Sequence, residues 1–401
     1  MKTKKALGAV STPPEVIRFM LSLFSPTKTD SLKVLEPACG DAPFLQAFQE
    51  KFGDKHALFG VEYDAETLRP PALPNFHFEQ TDFLLWDDER KFDLILGNPP
   101  YGIIGDRSHY PIYTFKDMKA AYRQRSETWH GKYNIYGAFI EQAVKRLGDA
   151  GELIFVVPST WMLLQDFKLL RKFLAESGEL HVYYLGRIFP GVQVTAVVIH
   201  LKKSSCRTLR LYDEKTLWLE KNDYQGEMIR FETGETQKWE QSASQTLGEL
   251  FDIFFAARSP EFKKNPFVHD HQFIGATPAL TGRNLSPGKI DYETNHTNFW
   301  VKHSGAATLR EFYGFAHIVI GHTKGARVVA AYDEKCYPWR EEFHLVPKVN
   351  VHERQIVEYL NSEQVQVHIK TLYRDLIPHL TRLQLAMIPI PDEVASGISQ
   401  V

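Results

Sequence analysis

Cysteine is scarce: only Cys39, Cys206 and Cys336 occur among 401 residues, far apart. Three scattered thiols build neither a disulfide framework nor a zinc site, and a reducing, cytoplasmic setting is expected. Long apolar runs are missing as well. No stretch of about 18 apolar residues is present, which argues against a membrane-spanning helix. No apolar segment follows the basic start Met1-Lys2-Thr3-Lys4-Lys5, so no secretory leader is expected. An excess of either charge is also absent. The net charge is −2, divided into −2 over residues 1–250 and 0 over residues 251–401. Bulk attraction to nucleic acid therefore has little to work with. What remains is 43% hydrophobic and 24% charged, which excludes a disordered or fibrous chain and fits two or three globular domains.

The first 200 residues alternate between short apolar runs and amphipathic stretches. Thr12, Pro13 and Glu15 have the spacing of a capping box that opens a helix. Strands are predicted at 33–36, 58–62, 76–80, 92–96 and 153–157, with helices at 44–51, 134–147 and 163–175. Two further strands, 181–185 and 195–201, lack a helix between them and predict an antiparallel pair at one sheet edge. This alternation predicts a doubly wound α/β sheet with helices on both faces. A polar stretch rich in Glu, Gln and Ser (234–246) then predicts a linker at about 236–246. It separates a first domain, 1–235, from a mixed α+β domain, 247–401.

The strand at 33–36 runs into Glu36-Pro37-Ala38-Cys39-Gly40-Asp41-Ala42. In doubly wound folds this first turn brings backbone amides to a ligand. No G-x-G-x-x-G is present, because Ala42 stands where a second glycine would be. Glu36 and Asp41 would repel a pyrophosphate, so the loop suits a cationic ligand such as S-adenosylmethionine. Glu62, at the end of the next strand, can accept from ribose hydroxyls. Asp82 can accept from an adenine amino group, and Phe83 can pack on the purine. For the loop alone, an ordinary β–α turn competes with this reading.

Asn98-Pro99-Pro100-Tyr101 follows the fourth strand directly. This turn suits methyl transfer to a conjugated amino group, whose nitrogen is a weak nucleophile. The Asn98 side-chain oxygen and the Pro99 carbonyl can accept its two hydrogens and free the lone pair. The prolines hold the acceptors in place beforehand. Tyr101 offers an aromatic face to the base and to developing positive charge.

Glu36-Pro37-Ala38-Cys39-Gly40 together with Asn98-Pro99-Pro100-Tyr101 resembles the gamma-type DNA amino-methyltransferases. Over nearly the whole length the chain is similar to the TaqI-type DNA adenine-N6 methyltransferases. Thr281-Gly282-Arg283-Asn284-Leu285, His322-Thr323-Lys324-Gly325 and Pro338-Trp339-Arg340-Glu341-Glu342-Phe343-His344 are among the stretches that carry this similarity. The resemblance implies a class I, Rossmann-like methyltransferase domain with an antiparallel edge strand, followed by an α+β DNA-recognition domain. It implies that Thr12, Glu36, Ala38, Cys39, Gly40, Glu62, Asp82, Phe83 and Pro100 bind S-adenosyl-L-methionine. Asn98, Pro99, Tyr101 and Phe189 would hold a flipped adenine, and Pro378 would fill the gap the base leaves. Lys263, Arg283, Lys324, Arg327, Arg374 and His379 are candidates for contacting double-stranded DNA. His322, His344 and His379 lack metal-ligand spacing, and no metal is expected. The family further implies TCGA as target, a monomer, and a cognate restriction endonuclease carried on a separate chain. Methylation of RNA or of a protein glutamine shares the Asn-Pro-Pro-aromatic turn and is the competing enzyme reading. A non-catalytic DNA-specificity protein is the competing reading from another class.

Overall fold

A computed structural model of the chain describes residues 10–26, 31–64, 72–105, 111–112, 115–191, 194–322 and 325–396. The chain divides into two units, Met1–Arg230 and Phe231–Val401.

The apolar runs of the first unit become the inner strands of a nine-stranded sheet. β1 (Lys33–Pro37), β2 (Ala57–Glu62), β3 (Phe76–Gln80), β4 (Phe92–Gly97) and β5 (Leu147–Pro158) lie parallel in the order β3-β2-β1-β4-β5. Val34, Leu35 and the run Leu94-Ile95-Leu96 are fully buried, as expected where helices cover a parallel sheet on both faces. Because β1 sits between β2 and β4, the strand order reverses there. The crevice at the carboxyl ends of such strands is where this type of sheet binds ligands.

The far side of the sheet differs from expectation. β6 (Gly178–Gly186) and β7 (Ala196–Lys203) do pair antiparallel, but β7 inserts between β5 and β6 and the pair is not at the edge. β8 (Leu209–Asp213) and β9 (Thr216–Lys221) extend the sheet beyond them as a hairpin. Its tight turn places Glu214 at φ 52°, and only β8 sends buried leucines, Leu209 and Leu211, into the core. The mostly exposed β9 has too little apolar pattern to be recognised as a strand.

Among the described residues, five α-helices accompany the sheet: α1 (Pro14–Leu23), α2 (Pro43–Phe52), α3 (Lys119–Arg125), α4 (Ile135–Lys145) and α5 (Lys168–Ser177). The expected capping box at Thr12 does not form. Pro13 is the cap residue of α1, at ψ 141°, and no side chain caps the helix. The Thr12 hydroxyl instead accepts from Asn98. α4 is buried from Ile135 to Val144. Its Glu141 accepts from Lys145 Nζ at 2.7 Å, Thr128 Oγ1 at 2.6 Å and the Glu127 amide at 2.9 Å. Burial alone would raise this carboxyl, but those bonds outweigh it and hold the pKa below the ordinary value.

In the second unit, the segment expected as a linker is a helix, α6 (Gly234–Ser242). Thr233 and Thr236 cap its start reciprocally, and Trp239 packs edge-on against His368 at 4.3 Å. The division of the chain therefore falls at Arg230 and Phe231, before this polar stretch. Four antiparallel strands follow: β10 (Phe251–Phe255), β11 (His317–Ile320), β12 (Ala330–Asp333) and β13 (Phe343–Pro347), in the order β10-β13-β11-β12. α7 (Glu353–Asn361) and α8 (Glu363–Tyr373) come after them. The core of this unit gathers Phe262, Leu280, Val301, Phe312, Val319 and Trp339. Within it Asp333 accepts from the Trp339 indole at 2.8 Å and from the Tyr292 hydroxyl at 2.9 Å.

Candidate functional site

The carboxyl ends of β1 to β4 surround a cavity of about 360 Å³. All nine residues expected to bind the cofactor line it, and so does Asn98. The loop after β1 is tied to β2: the Cys39 amide donates to Val61 O at 3.0 Å, and the Gly40 amide to Glu62 Oε2 at 3.1 Å. Ala38, Gly40 and Ala42 have φ near 50°, so every second residue turns left-handed and the chain curls around the cavity. Ala42 adopts this conformation where glycine would do so with less strain.

Among the described residues, five carboxylates line the cavity, Glu36, Asp41, Glu62, Asp64 and Asp82, and no lysine or arginine does. Glu36 Oε2 accepts from the Leu45 amide at 3.0 Å, at the start of α2. Glu62 accepts from the Gly40 and Asp64 amides. Asp82 accepts from the Leu84 amide at 2.9 Å and from the Tyr122 hydroxyl. Burial raises the pKa of all three in spite of these bonds. The acidic lining fits a small cation and disfavours a pyrophosphate, and the residues present fit S-adenosylmethionine with its ammonium and sulfonium. Burial likewise pushes the Cys39 thiol up, which keeps it neutral.

Sequence reasoning missed Val10, Ser11, Tyr63, Phe115, Tyr122 and Phe139, which also line the cavity. Phe115 packs edge-on against Tyr63 at 5.1 Å, and Phe139 stacks on Phe83 at 5.3 Å. These side chains arrive from α3, α4 and connecting segments, which carry no motif. The one available signal is that aromatics cluster between 110 and 139.

Asn98 is positioned by its amide nitrogen. Nδ2 donates to Val10 O and to Thr12 Oγ1, both at 2.9 Å. Its oxygen, Oδ1, is buried and has no hydrogen-bond partner among the described residues. A buried acceptor without a partner costs about 1–3 kcal/mol, so its presence beside a cavity calls for a ligand group that donates. Pro99 is buried and Pro100 half-buried. The Tyr101 hydroxyl donates to Val156 O at 3.1 Å, which fixes the ring. Phe189 is 3% exposed, and its ring meets that of Tyr101 edge-on at 6.1 Å. The two aromatics expected to hold a base, 88 residues apart in sequence, are thus neighbours.

In the second unit Lys263, Arg283, Arg327 and Pro378 are exposed. Arg283 lies on a turn (Gly282–Asn284) capped by Thr281 and Asn284. Gly325 donates to Pro378 O at 2.7 Å, and the rings of His322 and His379 lie 4.4 Å apart. Arg374 ends α8 at φ 43°, with its guanidinium 3.6 Å over the Phe231 ring. His344 is fully buried and shares a 2.7 Å hydrogen bond with His317. Lys324 lies outside the described residues.

Residues 277–390 match the family described as a TaqI-like C-terminal specificity domain. Residues 46–186 match the Eco57I restriction-modification methylase family. The chain is 51% identical over 395 residues to a type II methyltransferase of Thermus thermophilus, spanning 96% of this chain and 91% of that relative. It is 27% identical over 202 residues to the type II methyltransferase M.HincII of Haemophilus influenzae, which covers 49% of this chain and 37% of the relative. Among solved structures, a nuclease-deletion mutant of the Type ISP restriction-modification enzyme LlaGI shares the fold. That likeness has a TM-score of 0.56 at 15% identity and covers 95% of this chain and 45% of the other. The first unit is a doubly wound α/β sheet with the acidic cavity at the carboxyl ends of its parallel strands. The chain belongs to the type II DNA methyltransferases of restriction–modification systems, with a TaqI-like specificity domain.

Proposed function

We propose that the enzyme methylates N6 of an adenine flipped out of duplex DNA, within TCGA. The observation that carries this reading is the buried, unpartnered Oδ1 of Asn98 beside the acidic cavity. Asn98 Oδ1 and the Pro99 carbonyl accept the two hydrogens of the target amino group. This draws the nitrogen toward tetrahedral geometry and frees its lone pair to take the methyl group that the bound cofactor supplies. Tyr101 and Phe189 face the base and the positive charge that develops on it. One N–H proton leaves after transfer, so no strong general base is needed. In the cofactor cavity, Thr12, Glu36 and Ala38 take the methionine end, Glu62 the ribose, and Asp82 and Phe83 the adenine. Cys39, Gly40 and Pro100 complete the walls. Pro378, exposed on its loop, fills the gap in the duplex. Lys263, Arg283, Lys324, Arg327, Arg374 and His379 contact DNA. The enzyme acts as a monomer in the cytoplasm, and a cognate endonuclease is a separate chain.

The test is to incubate the protein with methyl-labelled S-adenosylmethionine and duplexes with or without TCGA, then to identify the labelled nucleoside. N6-methyladenine confined to the TCGA duplex is expected. N4-methylcytosine, or an unlabelled duplex, overturns the reading. In a second arm, Asn98→Ala loses at least about 100-fold in kcat. It weakens cofactor binding by no more than about tenfold, through the lost bonds to Val10 and Thr12. Full activity in this variant removes Asn98 from the chemistry.

A further inference from the structure

Glu342, the residue immediately before β13, is 4% exposed. Its two oxygens reach two different loops. Oε1 accepts from the Gly282 amide at 2.5 Å, and Oε2 accepts from the His322 amide. The first loop carries Arg283. The second continues to Gly325, which bonds to Pro378 O, while the His322 ring lies against His379. The approach is tight: a Cβ on Gly282 would stand 2.8 Å from Glu342 Oε1, so a side chain at 282 would push the carboxylate away.

We propose that Glu342 is a positioning residue for target recognition, whose carboxylate locks the Arg283 turn to the His322 loop and, through it, to the Pro378–His379 loop. The inference rests on the reading that these loops face DNA. Loops that read a nucleic acid need a rigid support, because small misplacements of their side chains lose contacts with base edges. A carboxylate between two backbone amides supplies one through charge-assisted bonds, without depending on the rotamer of another side chain. Its burial is costly, and burial pushes the carboxyl up to about 7. Neighbouring Glu341 raises it further and Arg340 opposes the rise. Hydrophobic packing would fill the same space at lower cost, but it would leave both loop amides without an acceptor.

Glutamine at this position keeps one acceptor and turns its carboxamide NH2, a donor, toward the amide of the other loop, so one of the two loops is released. In the full-length protein, Glu342→Gln is expected to raise KM for a TCGA duplex roughly tenfold. It also narrows the preference for that duplex over duplexes with one changed base pair. Affinity for S-adenosylmethionine stays unchanged, and the unfolding temperature stays within a few degrees. Glu342→Asp, which keeps two acceptors, restores part of the loss. A variant that merely unfolds more easily, with unchanged KM and discrimination in the folded fraction, overturns the proposal. Arg283→Ala separates this failure from failure of the underlying reading. If Arg283→Ala loses discrimination and Glu342→Gln does not, only the positioning role falls. If Arg283→Ala changes neither KM nor discrimination, the loops do not read DNA and both fall.

Discussion

At the scale of single residues, burial governs the acidic cavity. Glu36, Glu62 and Asp82 each lose water, and their hydrogen bonds from Leu45, Gly40, Asp64, Leu84 and Tyr122 only partly offset that loss. Their pKa values are therefore raised, so the folded protein holds these protons more tightly than the unfolded chain does. Without cofactor, these groups favour the folded state most below the ordinary carboxylate pKa. That contribution is lost as pH rises through the raised values. A bound cation acts in the opposite direction, since it favours the ionised carboxylates. The gain in unfolding temperature on adding S-adenosylmethionine should thus increase as pH rises from the ordinary carboxylate range through the raised values. Thermal unfolding with and without cofactor across that range measures it, and a gain that is flat or larger in acid contradicts the assignment. Cavity-lining positions such as Glu36, Glu62 and Asp82 were legible in the sequence because they stand at strand ends, where chain order already sets the place. Tyr122 was not, since its meeting with Asp82 spans 40 residues and depends on how α3 folds back. Glu342 was hidden for the same reason: its role appears only once two loops converge on it.

At the scale of elements, apolar pattern revealed whatever lies wholly inside, and failed where polar contacts decide. The runs at 94–96 and 153–157 are strands because a chain buried on both faces must be apolar throughout. α6 has almost no apolar stripe, yet reciprocal threonine caps and one tryptophan suffice to hold it. The hairpin β8–β9 went unseen because one of its strands faces mostly outward. α4 shows how packing can override propensity. A Cβ on its Gly137 would meet the Tyr133 ring at 2.5 Å and the hydroxyl at 2.6 Å. Tyr133 cannot retreat, since it is 1% exposed and its hydroxyl is bonded to Thr128 at 2.5 Å. Alanine at a helix interior gains about 1 kcal/mol over glycine, whereas overpacking a tight core costs about 1–3 kcal/mol. Gly137→Ala should therefore lower the unfolding temperature, as calorimetry would register. A rise would mean that the Tyr133 ring moves freely.

At the scale of the whole molecule, the near-zero charge conceals an uneven allotment. The formal charge is −2, and setting aside the five carboxylates that line the cofactor cavity leaves the remainder at +3. On the proposed reading the acidic residues serve a small cationic ligand, while Lys263, Arg283 and Arg327 stand exposed in the second unit. A protein arranged this way attracts DNA weakly at long range and depends on a few contacts. Each phosphate neutralised adds about 0.9 to the slope of log affinity against log salt. If Lys263, Arg283, Lys324, Arg327 and Arg374 all met phosphates, the slope would reach about −4.5, and base contacts among them make it shallower. Fluorescence anisotropy on a TCGA duplex over a range of salt concentrations measures this slope. Lys263→Ala should flatten it by about 1 and weaken binding alike on matched and mismatched duplexes, as loss of a phosphate contact does. Arg283→Ala should change the ratio between those duplexes more than it changes the slope. A wild-type slope near −10 would instead mean an extended phosphate-binding surface, and the local account of recognition would give way to a bulk electrostatic one.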